Sequence, residues 1–273
     1  VDSAAEFDTA FLAHPACAMF EPALCSSLRR LPRFPEPEAL FELAQQHALP
    51  RGLGFRFTLE DAEKVRERGG FDTFIAAERA IPTRRNSYHD LLGSLVWLHF
   101  PALKTALHEL QLGGSGPRSQ AQNAVTHLDE SGLLVVSRKP SIFEAIAGLS
   151  WSEVFWERRA ELAETTRFLG FGHGLLDSLR CPHPALMGKA LFVRVTQAEL
   201  DLPLAELRPL IDRELASHVP RFLQHPRQLF PLPVLGIPGW TAKQDAAYYE
   251  DTRYFRRRKR EGAPLPATWV DLA

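Results

Sequence analysis

The chain has 273 residues, of which 45% are hydrophobic, 24% charged and 10% aromatic, and its formal net charge is -1. That balance excludes a disordered, collagenous or coiled-coil protein, and a chain of this length buries enough apolar surface to fold without disulfides or a structural metal. A charge near zero argues against a partner held by bulk electrostatics, such as long nucleic acid or an anionic membrane surface.

Up to residue 82, apolar clusters alternate with breaks at Pro32, Pro35, Pro37, Pro50 and the Gly52-Leu53-Gly54 step. Short helices joined by extended turns are predicted, because a proline keeps its predecessor out of helical geometry. Phe55-Arg56-Phe57 predicts a strand, followed by a helix capped at Thr58 with acidic residues in its first turn. Ser87 and Asp90 form an S-x-x-D cap for a long apolar helix through Leu91, Leu92, Leu95, Leu98, Leu107 and Leu110, broken near Phe100 by Pro101. Gly113-Gly114-Ser115-Gly116-Pro117 predicts a flexible loop. Residues 124–128 and 133–137 are β-prone runs around Asp129-Glu130-Ser131-Gly132, a predicted hairpin in which Gly132 takes the positive φ of a tight turn. Helices are expected over 141–148, 151–167 and 175–179, a strand over 188–195, and an amphipathic helix over 203–215. From Pro220 to Pro238 prolines recur, predicting an extended segment wrapped over the surface.

Three cysteines, Cys17, Cys25 and Cys181, form an odd set without C-x-x-C spacing, so neither a disulfide framework nor a thiolate zinc site is favoured. A reducing cytoplasm is the simplest compartment. No apolar run approaches the ~18 residues of a membrane span, and Val1 to Glu6 lack a signal-peptide pattern.

The densest polar stretch is Arg84-Arg85-Asn86-Ser87-Tyr88-His89-Asp90, at a helix N-terminus whose free amides and dipole suit an anion. The same residues also serve as plain capping groups, and both readings stand at this point. His127 and Asp129 share one face of the predicted strand; with Glu130 and a second imidazole they could bind a divalent metal or divide acid and base roles. An Asp-Glu-Ser-Gly stretch is equally an ordinary exposed turn. Gly170-Phe171-Gly172-His173-Gly174 has no evident strand before it and no dinucleotide-fold spacing after it, so its glycines point to close backbone approach around His173. Lys189, beside Gly188, is either an anion contact or a surface charge. The run from Arg253 to Arg260 can pair phosphates and stack bases, partly offset by Glu250, Asp251 and Glu261. No G-x-S-x-G, H-E-x-x-H, Walker A or zinc-ribbon spacing occurs.

Taken in order, Arg85-Asn86-Ser87-Tyr88-His89-Asp90, Trp97-Leu98-His99-Phe100-Pro101-Ala102-Leu103-Lys104, Leu128-Asp129-Glu130-Ser131-Gly132, Phe171-Gly172-His173-Gly174-Leu175, Gly188-Lys189-Ala190-Leu191 and Pro231 to Trp240 resemble the bacterial family called domain of unknown function 3025. The likeness runs from about the first helix to the Tyr248-Tyr249-Glu250-Asp251-Thr252 segment. It implies one coherent chain of bacterial origin and carries no activity, cofactor or catalytic residue. If Asn86, His89, Asp90, Asp129, Glu130, His173 and Lys189 are motif positions, polar residues recur where folding alone calls for apolar ones, which favours a shared pocket.

The expected fold is α+β: a predominantly helical single domain over 1–273 with a small antiparallel sheet and proline-rich extended segments. Residues 1–82 form a helical and extended N-terminal part, 83–215 the core carrying the site, and 216–273 a proline-rich wrap with a basic tail. The expected function is metal-assisted hydrolysis of a small anionic substrate, a phosphoester or nucleic acid. His89, Asp90, Glu130 and His173 act as catalytic groups, His89, Asp129 and His173 hold a divalent metal, and Arg85, Asn86 and Lys189 hold the substrate. The rivals are a non-catalytic module that docks nucleic acid or protein on the basic C-terminal run, and an enzyme handling a small carboxylate without metal.

Overall fold

The structure, a computed structural model, describes residues 7–49, 54–112, 117–257 and 266–272. The expected Gly52-Leu53 break, the Gly113 to Gly116 loop and Arg258-Lys259-Arg260 lie outside the described residues.

β1 (Arg56–Leu59) and β2 (Ala80–Thr83) form a parallel pair, with helices Ala62–Glu67 and Phe71–Glu78 in the crossover. Thr58 stays in β1 rather than capping the next helix. Asp61 makes that cap, accepting the amides of Glu63 and Lys64 at 3.1 Å.

The larger sheet is built on β3 (Gly132–Ser137), buried at every position, as the run Leu133-Leu134-Val135-Val136 requires of a strand covered on both faces. β3 pairs antiparallel with β4 (Thr166–Gly170) and parallel with β5 (Met187–Arg194). β5 in turn pairs antiparallel with β6 (Phe230–Pro233) and parallel with β7 (Val270–Asp271). The chain is therefore mixed α and β, and the expected antiparallel sheet is mixed in direction.

The helix expected from Ser87 breaks where Pro101 forbids its continuation. Helix Tyr88–His99 ends at Phe100, and helix Pro101–Gln111 starts with the proline at its first position, where no amide is needed. The expected hairpin is absent. Residues 124–128 belong to helix Gln120–Ser131, opened by a Ser119/Gln122 capping box, and the helix passes straight into β3. Ala124, Val125 and Leu128 are its buried face, a helical spacing, and Gly132 has φ -68 rather than the positive value of a turn. The helix expected over 151–167 also ends early: Thr166 and Arg167 are the first residues of β4, so a strand does precede the Gly170-Phe171-Gly172 motif. Most of the proline-rich stretch is not a surface wrap. Helix Leu204–Phe222 accommodates Pro209 and Pro220, and β6 enters the sheet, with Phe230 stacked on Phe192 at 4.6 Å. Among the described residues no helix is long and apolar enough to cross a membrane.

One apolar cluster draws on residues from Phe7 to Val270. Buried polar groups tie its helices together at the 100–101 break. Asp212 accepts the amides of Ala102 (3.1 Å) and Leu103 (2.8 Å), closing a helix start that Phe100 cannot cap. His99 accepts the Glu21 amide on Nε2 and donates Nδ1–H to the Leu95 carbonyl, both at 2.7 Å, while Arg208 donates to Met19 O at 2.7 Å. Burial, then the charge of Arg208, pulls His99 down to about 3. Burial also pushes Asp212 up to about 6, against its two amide bonds and Arg208.

These two shifts act in opposite directions on stability. Between 3.8 and about 6 the folded state holds a proton on Asp212 that the unfolded chain releases, so acidification stabilises through Asp212. Below 6.5 the unfolded chain protonates His99 and the folded state does not, so acidification destabilises through His99. Asp212→Asn removes the first effect and leaves the second. Relative to wild type, the variant should lose ~1 kcal/mol for each pH unit of acidification across the Asp212 window. Urea unfolding at stepped pH measures this, and parallel pH dependences of the two proteins would refute it.

Candidate metal centre

Three helix ends meet at one point. Helix Tyr88–His99 supplies His89 from its first turn, helix Gln120–Ser131 supplies Asp129 and Glu130 from its last turn, and helix His173–Ser178 begins with His173. Glycine makes the approach possible. A Cβ on Gly172 would lie 2.2 Å from the Gly132 nitrogen and 2.5 Å from the Ser131 nitrogen, and one on Gly174 would lie 2.6 Å from Glu130 Oε2. With no side chain in the way, the amides of Phe171 (3.1 Å) and Gly172 (2.8 Å) both donate to the Gly132 carbonyl. That bond pair fixes the start of the His173 helix against the end of the Glu130 helix.

His89, Glu130 and His173 each offer one ligand atom, and these atoms all lie within 4.8 Å of one another. Glu130 Oε1 is 3.6 Å from His173 Nε2, and the two imidazole centroids are 4.4 Å apart at 66°. His173 Nδ1 donates to the main-chain carbonyl of Asp129 at 2.8 Å. A carbonyl only accepts, so the proton sits on Nδ1 and the Nε2 lone pair is left free beside Glu130. Burial pulls the His173 pKa below 6.5; Lys104 and His89 act the same way, while Asp129 and Glu130 oppose them. The ring is neutral at pH 7, as a metal ligand must be.

Behind His173 the Asp129 carboxylate is ion-paired with the Lys104 ammonium, whose side chain is buried 5.0 Å over the Trp97 ring. Burial alone would raise Asp129, but the charge of Lys104 beside it holds it below the usual carboxylate range. The three helix ends floor a cavity of about 350 Å³ whose walls also carry Glu60, Asp72, Arg84, Asp90 and Arg118.

The structure sorts the residues expected from sequence. His89, Glu130 and His173 come together. Asp129 stands beside them without joining the ligand set, because in a helix successive side chains diverge by about 100°; for the same reason His127 and Asp129 share no face, and His127 is exposed. Asp90 lines the cavity but accepts from Arg84 N (2.7 Å), Nε (2.9 Å) and Nη2 (2.7 Å), while its own amide goes to Ser87 Oγ at 3.2 Å. Burial raises its pKa, and the Arg84 bonds outweigh that and lower it. Arg85 pairs with Glu36 at 3.2 Å, and with Asn86, at φ +54, lines a separate groove against residues 31–46. Lys189 lies in β5 opposite Gly132 and Pro231 and does not line the cavity. In the basic run, Arg253 pairs with Asp251 at 2.7 Å, and the Arg256 carbonyl accepts from Trp151 Nε1 at 3.0 Å.

Of the cationic residues that line the cavity, Arg84 belongs to the polar stretch that sequence marks as suited to an anion, whereas Lys104 and Arg118 are not singled out there as site residues. Lys104 had a readable signal. It lies three and four residues before Leu107 and His108, on the buried stripe of its helix. Arg118 is pinned by Nη2 to Gln111 Oε1 (3.2 Å) and Thr126 Oγ1 (2.8 Å), which only the packing of two helices reveals.

The glycine motif, the paired histidines and the acidic helix end fall within a family model that matches residues 55–260 and is described as a protein of unknown function (DUF3025). The chain belongs to that family. No curated protein and no solved structure matches it.

If the Gly172 seam sets the site, adding one methyl group there is costly, since the atoms it meets are backbone. Gly172→Ala should destabilise the protein by about 1–3 kcal/mol and lower its melting temperature by several degrees. Thermal and urea unfolding of the purified variant check this; an unchanged melting temperature would show that the seam relaxes freely.

Proposed function

We propose that the protein binds one divalent transition-metal cation through His89, Glu130 and His173 and uses it to hydrolyse a small anionic ester, foremost a phosphoester. The observation that carries this reading is the convergence of two imidazoles and one carboxylate within 4.8 Å on a cavity floor. Two nitrogens and one oxygen suit zinc, manganese, iron or cobalt better than the all-oxygen preference of calcium or magnesium. Three protein ligands leave room for water or substrate, as catalytic sites do. When bound, such a cation supplies Lewis acidity and a water acidic enough to attack at neutral pH.

The rest of the chemistry belongs to the chain. Carboxylates outnumber cationic groups on the cavity wall, so the cavity attracts a cation first and an anion only after that charge is in place. Arg84 is oriented by its bonds to Asp90 and Arg118 by Gln111 and Thr126, and both face the cavity as anchors for an anionic group. They take the place that sequence gave to Arg85 and Lys189. A volume of about 350 Å³ fits a small ester rather than a polymer.

Isothermal titration with Zn²⁺, Mn²⁺ and Co²⁺ should show one site per chain, weakened more than about a hundredfold by His173→Ala or Glu130→Gln. Inorganic phosphate should bind the metal-loaded protein and not the chelated one. Turnover of p-nitrophenyl phosphate should disappear with chelator and return with metal. Absence of stoichiometric cation binding by the folded wild type would end this reading.

A further inference from the structure

Resting on the metal reading, we infer that Lys104 is a positioning residue that sets the donor strength of His173 by holding the Asp129 carboxylate away from it. Asp129 offers the His173 Nδ1–H two acceptors. Its main-chain carbonyl takes the proton at 2.8 Å, and its carboxylate Oδ1 lies 4.0 Å from the same nitrogen. A carboxylate is the stronger acceptor. What engages it is the Lys104 ammonium, buried with its stem against Trp97 and ion-paired to Oδ1.

The choice of acceptor matters for the opposite side of the ring. A carboxylate on Nδ1–H polarises the imidazole and raises the basicity of Nε2; a neutral carbonyl does so much less. With Lys104 in place, His173 is the weaker donor of the two possibilities, and Glu130 is the one anionic ligand. A cation held this way is bound less tightly and stays more electrophilic. Lys104 touches no reacting atom in this scheme. It acts through Asp129 and His173.

Lys104→Met keeps the length and apolar contact of the stem and deletes the charge. The freed carboxylate then turns to His173, because a partly buried carboxylate gains from a hydrogen-bond donor within reach. In ¹⁵N-histidine-labelled protein the His173 Nδ1–H resonance should move downfield, and the affinity for Co²⁺ should rise about tenfold with a shift of its visible bands. Adding Asp129→Asn should return resonance, affinity and bands to those of wild type, which a merely structural role for the ion pair would not do. This double variant also lacks any lone buried ion, so it remains informative if Lys104→Met alone fails to fold; it is then expected to match wild type, and weakened Co²⁺ binding in it would overturn the inference. An unchanged resonance and affinity in folded Lys104→Met would overturn it as well, leaving the metal reading intact. Failure of wild type to bind Co²⁺ would remove both.

Discussion

The contact on which the site depends is between two stretches of backbone. Gly172 lies so close to the Ser131–Gly132 peptide that not even a methyl group fits between them, and the Gly132 carbonyl collects two amides from the approaching chain. Everything that follows is placed by that seam. His173 comes next in sequence and inherits its position, and Glu130 sits two residues back from Gly132 on the other side. Side-chain packing then has little left to decide, which is why three short helix ends can hold polar groups at ligand spacing without a dedicated loop.

Electrostatics refine what the backbone sets. Charge withdrawn from water is costly, and three carboxylates here are answered: Asp129 by Lys104, Asp90 by Arg84, Asp212 by two amides at a helix start. The Asp129 and Asp90 pairs line the cavity wall. Glu130, half exposed, is left to His173 and His89, and that asymmetry separates the groups that build the cavity from the one free to act in it.

Sequence made some of this legible. The Ser87 cap, the break at Phe100, the β5 strand and the crowded glycines around His173 all follow from local rules about caps, proline and the missing Cβ, and the structure has each of them. The hairpin at Asp129 failed for a definable reason. Ala124, Val125 and Leu128 suit a strand by composition and a helix by spacing, and the deciding signal, the Ser119/Gln122 capping box, lies upstream of the run. Reading helix as strand exchanged the orientations of neighbouring residues, so Asp129 was expected in the cluster that Glu130 joins. Arg85 and Lys189, expected at the same pocket, lie outside it for a different reason. Arg85 and Lys189 are next to these motifs in sequence, but the turn before helix Tyr88–His99 carries Arg85 to Glu36, and the strand pairing carries Lys189 elsewhere. Long-range packing decides such matters, and no local pattern encodes it.

The direct passage of a helix into a central strand at Gly132 has a mechanical consequence. Glu130 is two residues from β3, which is hydrogen-bonded on both sides, so its main chain cannot shift far unless the sheet shears. A residue carried on a loop can move its main chain to meet a ligand; one rooted in a sheet has only its side chain to move. On the proposed metal reading, the main-chain spacing behind the three donors would be a property of the scaffold, and selection among cations would fall to their radius and preferred geometry.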